Sequence, residues 1–103
     1  MTTPEHPDAP QPLTADEGAR LAKLEQTADD KKTREDLTEE LRLRSKREAH
    51  DKYRGHVLIR KALATADGEE LPRGTFTRVV EASPYKREYV ARIRDGIVNL
   101  YNL

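Results

Sequence analysis

Thr75-Phe76-Thr77-Arg78-Val79-Val80-Glu81-Ala82-Ser83-Pro84-Tyr85-Lys86-Arg87-Glu88-Tyr89-Val90-Ala91-Arg92-Ile93-Arg94-Asp95-Gly96 decides how the chain is read. Phe76, Val79 and Val80 fall on one face of a helix, and Tyr89, Val90 and Ile93 on one face of another, with Ile97 following. Ser83-Pro84 between them is a turn signal, because proline disfavours helical dihedrals in the residue before it. Ser83 also has the chemistry to cap the second helix, with Pro84 in its first turn. Gly96 is placed as a C-terminal stop. The stretch therefore predicts two short helices joined tightly.

To its N-terminal side, Tyr53, Val57, Ile59, Ala62 and Leu63 predict a preceding helix that stops near Asp67-Gly68. Residues 53–103 hold 23 hydrophobic residues of 51 and all five aromatics, so the core belongs there. Residues 13–52 hold only 11 hydrophobic residues of 40 against 21 charged ones, the composition of a solvated helix. Thr14-Ala15-Asp16-Glu17 has the capping-box pattern that opens such a helix. Thr33, with Asp36 three residues on, offers a second start, so the segment is either one long helix or two broken near residues 29–33. Residues 1–12 contain Pro4, Pro7, Pro10 and Pro12 and almost nothing apolar, which predicts a disordered arm. The expected fold class is all-α. A long charged N-terminal helix or helix pair (13–52) precedes a small three-helix domain (53–103).

The two-helix stretch resembles the helix-turn-helix motif of small bacterial transcriptional regulators over residues 75–96. Val79, Val80, Tyr85, Val90 and Ile93 occupy the apolar slots of that pattern. Lys86, Arg87, Glu88, Ala91, Arg92 and Asp95 fall on its outer face. The chain departs from the pattern at Val80, where alanine is usual, at Ser83, where an apolar residue is usual, and at Pro84, where glycine is usual; these bear on the angle between the helices. The resemblance implies that the second helix enters the major groove of double-stranded DNA. Lys86 and Arg87 are then expected to reach guanine edges, and Arg92 and Arg94 to meet bases or phosphates. Arg73, Thr75, Thr77 and Tyr85 complete the expected DNA-binding set, the threonines lying where helix-start amides favour phosphate. A homodimer on paired half-sites is implied as well. Leu21, Leu24, Ala28, Leu37 and Leu41 offer one dimer surface, too interrupted for a regular coiled coil, and the tail 97–103 offers another or packs on its own core. The alternative is a helical scaffolding or adaptor protein of phage or plasmid assembly that uses its charged N-terminal helix to hold a protein partner.

A second basic run, Arg42, Arg44, Lys46, Arg47, Lys52 and Arg54, reads first as a salt-bridged helix surface and second as a track for a DNA backbone. His6, His50 and His56 do not have metal-ligand spacing, and each is expected at the surface or half-buried. No cysteine is present, which excludes disulfides and thiolate metal sites and fits a cytoplasmic setting. No phosphate-binding loop or nucleophile elbow is found, so neither enzyme activity nor a cofactor is expected. No apolar run approaches the ~18 residues of a membrane span, and residues 1–12 lack the features of a signal peptide. Arginine exceeds lysine 12 to 7, a bias of GC-rich bacterial genomes. The net charge is zero, yet residues 1–40 hold 11 acidic and 5 basic residues while residues 41–103 hold 8 and 14. The neutral total is two opposed halves.

Overall fold

The computed structural model describes residues 9–101. The chain is all-α, and its described residues form helices α1 (Ala15–Gln26), α2 (Arg34–Leu63), α3 (Thr75–Ala82) and α4 (Arg87–Arg94) and a 3-10 turn at Asp29–Lys31. It divides into two compact units, Met1–Asp51 and Lys52–Leu103, and α2 contributes residues to both. The expected disordered arm lies mostly outside the described residues. Residues 9–12 carry no helix, and Ala9 is buried rather than solvated.

In the first unit the helix boundaries are set by side chains. Thr14 Oγ1 accepts from the Glu17 amide (3.1 Å) while Glu17 Oε1 accepts from the Thr14 amide (3.0 Å), closing a capping box at the start of α1. The chain leaves α1 through an extended Thr27. Thr33 and Asp36 then exchange the same pair of bonds, Asp36 N to Thr33 Oγ1 at 3.0 Å and Thr33 N to Asp36 Oδ2 at 3.2 Å. Two helices are therefore formed, broken inside the charged run at 29–33. Leu21 and Leu24 of α1 are buried against Leu43 of α2, and Leu13 packs on the same cluster. This corrects the expected dimer stripe: Leu21 and Leu24 are consumed within the chain, Ala28 is set apart as an isolated exposed alanine, and only Leu37 and Leu41 stay exposed as a pair on α2.

Ion pairs surround that small core. Glu17 meets Lys46 (2.6 Å) and Arg42 (3.4 Å), and Arg20 meets Asp36 (3.1 Å). Arg44 bridges Glu40 (2.8 Å) and Glu25 (3.2 Å), with Arg47 3.7 Å from Glu25. Lys32 has its ammonium buried between Asp29 and Glu40, both of which raise its pKa. The basic run at 42–47 is thus a salt-bridged surface, the first of its two readings.

The second unit is built on the stripe Tyr53, His56, Ile59 and Leu63 of α2, all buried. Ile59 and Leu63 pack with Val90 and Ile93 of α4, and Leu71, Phe76, Val79, Val80, Tyr85, Tyr89 and Val98 close over them. Helix α2 ends at Leu63, earlier than the expected stop near Gly68. Residues 64–70 are all exposed, so no apolar burial sustains another turn. Gly68 (φ +82°) serves a separate turn closed by Glu69 N to Ala66 O. His56 is a further correction. It is 1% exposed, where a surface or half-buried position was expected.

At the end of α4, Gly96 (φ +76°) donates to Ile93 O and Ile97 N donates to Arg92 O, the paired bonds of a Schellman stop. The reversal takes Ile97 off the apolar face, and it is 70% exposed. Leu100 is buried and Val98 packs on the core, so part of the tail serves its own unit. Among the described residues there is no cluster of potential metal ligands and no helix long and apolar enough to cross a membrane.

Candidate nucleic-acid interface

Helices α3 and α4 are separated by Ser83–Lys86. Ser83 ends α3: its hydroxyl donates to Val80 O (3.0 Å) and accepts from Tyr85 N (3.2 Å), which fixes the turn around Pro84. Of the two roles open to Ser83, it takes the first, and α4 starts only at Arg87, with Lys86 as its N-cap residue. Val90 and Ile93 anchor the inner face of α4. At 100° per residue, Glu88 and Asp95 then stand opposite them with Arg92 about 50° round from that line, while Arg87 and Arg94 stand to one side.

That side faces α3. The Arg87 guanidinium lies 4.9 Å and the Arg94 guanidinium 5.3 Å from the centre of the Phe76 ring, and Arg87 Nη2 donates to Thr77 Oγ1 at 3.0 Å. Arg94 also grips Asp95 with two bonds, 2.9 and 3.2 Å, which raises the pKa of the arginine and lowers that of the carboxyl. Asp95 thereby offsets one of the four cations between Lys86 and Arg94.

The other expected residues are distributed as follows. Arg73 is exposed in the turn before α3. Thr75 opens α3, but its amide is committed to Pro72 O (3.1 Å), and its hydroxyl accepts from Arg78 Nη2 (3.3 Å). Tyr85 is half-buried, with its ring against His56 (5.1 Å) and Tyr89 (4.8 Å), and burial is the main cause that raises its pKa. Its ring therefore belongs first to the core. Lys86, Arg87, Arg92 and Arg94 are all exposed.

Three residues of this surface were not among the expected binding residues. Phe76 is the ring that collects two guanidinium groups, Arg78 adds a cation beside Thr75, and Arg60 reaches from α2 to donate to Ile93 O at the end of α4 (3.3 Å). The i,i+3 spacing of Thr75 and Arg78 was a usable local signal for one of them. The Phe76 contacts join different helices and left no local trace.

The surface is cationic. The second unit holds ten basic and six acidic residues, a net +4, and six of those cations, Arg73, Arg78, Lys86, Arg87, Arg92 and Arg94, lie on or beside α3 and α4. Comparison with protein-family models, with curated proteins and with solved structures matches the chain to none of them.

Proposed function

We propose that the protein binds double-stranded DNA through α3 and α4 and acts as a cytoplasmic transcriptional regulator without enzymatic activity. The observation that carries this is the exposed cationic surface on two short helices with a tight turn, where Arg87 and Arg94 are stacked on Phe76. Held guanidinium groups suit phosphate, which accepts their planar fork in two bonds. A motif of this size makes few contacts, so two copies on paired half-sites would raise affinity.

The test is anisotropy of labelled duplex DNA titrated with the full chain at several salt concentrations. Binding should weaken with a log–log slope of about −0.9 per phosphate contact. Absence of affinity for duplex DNA at low salt would sink the proposal.

A helical adaptor is the second reading, and it has its own observation. Leu37 and Leu41, four residues apart on α2, are 44% and 65% exposed. In that case alanine at Leu37 and Leu41 would abolish capture of a protein partner, and replacement of Arg87 would leave capture unchanged.

A further inference from the structure

The surface of α4 is divided between side chains that are occupied and side chains that are not. Arg87 is bonded to Thr77 and stacked on Phe76, and Arg94 is stacked on the same ring and bonded to Asp95. Glu88 and Arg92 are four residues apart in the order that favours an ion pair. Yet both are exposed, and neither side chain takes an ion pair or hydrogen bond among the described residues. Glu88 stands opposite the buried Val90 and Ile93, and Arg92 shares the outer half of the helix with it. Beside Asp95, which Arg94 holds, the outer half of the helix thus presents one uncommitted carboxylate and one uncommitted guanidinium among the described residues.

A carboxylate is a poor group for phosphate and a good one for a base donor. In the major groove, cytosine offers its N4 amino group to a carboxylate, and guanine offers O6 and N7 to an arginine fork. Four helical residues rise about 6 Å, and a base-pair step rises about 3.4 Å, so the two side chains reach neighbouring or next-neighbouring pairs.

We propose that Glu88 and Arg92 determine sequence preference, with Glu88 accepting from a cytosine amino group and Arg92 donating to a guanine one or two steps away. Arg87 then holds a phosphate, and neither it nor Arg94, whose charge Asp95 offsets, contributes much to the choice of bases. This rests on the DNA-binding reading; it adds Glu88 to the expected base contacts, keeps Arg92 among them and moves Arg87 from bases to phosphate.

The experiment is selection from randomised duplex DNA, followed by sequencing, with the full wild-type chain, Glu88→Gln, Arg92→Ala and Arg92→Lys. Wild type should enrich sites carrying C and G within two steps. Arg92→Ala and Arg92→Lys should both lose preference at the G position by about tenfold, because lysine keeps the charge but not the fork. Glu88→Gln should lose preference at the C position. The proposal is overturned if preference survives in Glu88→Gln and Arg92→Lys, or if Glu88→Gln tightens binding equally to all duplexes. If wild type retains duplexes without base preference, DNA binding stands and this assignment falls. If wild type retains none, both fall. Far-UV circular dichroism of each variant checks that helix content is unchanged, as expected for exposed positions.

Discussion

His56 is the one buried polar side chain among the described core residues, and its hydrogen bonds fix the tautomer of its neutral ring. Nδ1 lies 2.8 Å from the Lys52 carbonyl oxygen, which only accepts, so Nδ1 carries the proton. In the neutral ring Nε2 is then bare and accepts from the Tyr89 hydroxyl at 3.0 Å. Tyr89→Phe keeps the ring and removes the donor, leaving Nε2 unpaired in the core. That should destabilise the second unit by about 1–3 kcal/mol. Urea denaturation followed by circular dichroism measures it, and an unchanged midpoint would show that the bond contributes nothing. The position of His56 was partly readable, since Tyr53, His56, Ile59 and Leu63 follow helical spacing. What was not readable is the partner, 33 residues further along, because a single sequence encodes no pairing between distant side chains. The same holds for Arg87. Its place off the buried face of α4 follows from periodicity, but its capture by Thr77 and Phe76 depends on how α3 lies beside α4.

Helix ends written in local chemistry are the best-read features. Thr14 with Glu17 and Thr33 with Asp36 are bonded as their spacing predicts. The end of α2 at Leu63 was missed because burial sets it, and burial is a property of the folded unit. Gly96 was readable as a stop, although the loss of Ile97 from the apolar face was not. A Cβ at Gly96 would meet nothing closer than Arg60 Nη2 at 4.0 Å, so the cost of Gly96→Ala is conformational. With φ at +76° it should be about 1–2 kcal/mol. The midpoint of chemical unfolding should fall accordingly, and no change would argue against the left-handed stop at the end of α4.

Across the whole chain, the all-α class and the split of charge followed from composition. The way the first unit uses its charges did not. Met1–Asp51 holds 13 acidic and nine basic residues, many of them paired around a core of three buried leucines. Lys46, then the Thr14 amide, lowers the Glu17 carboxyl from 4.5 to about 2. The Thr33 amide lowers Asp36, Arg42 lowers Glu39, and Lys32 followed by Arg44 lowers Glu40. A carboxyl with a depressed folded value contributes stability above its unfolded value and loses it as pH falls through the folded one. The first unit should therefore weaken on acidification from about pH 4.5 toward about pH 2. Added salt should reduce the effect, since these pairs are reached by solvent. The check is an NMR titration of the Glu17 carboxyl, and a midpoint near 4.5 would mean that Lys46 does not hold it.

The stack of Arg87 and Arg94 on Phe76 also bears on the thermodynamics of association. An arginine that meets a ligand ordinarily surrenders rotamer freedom at that moment. Here the ring, the Thr77 hydroxyl and Asp95 restrict two such side chains during folding. The entropic penalty of ordering them falls on the folding equilibrium, and the proposed encounter with an anion would begin from side chains already arranged.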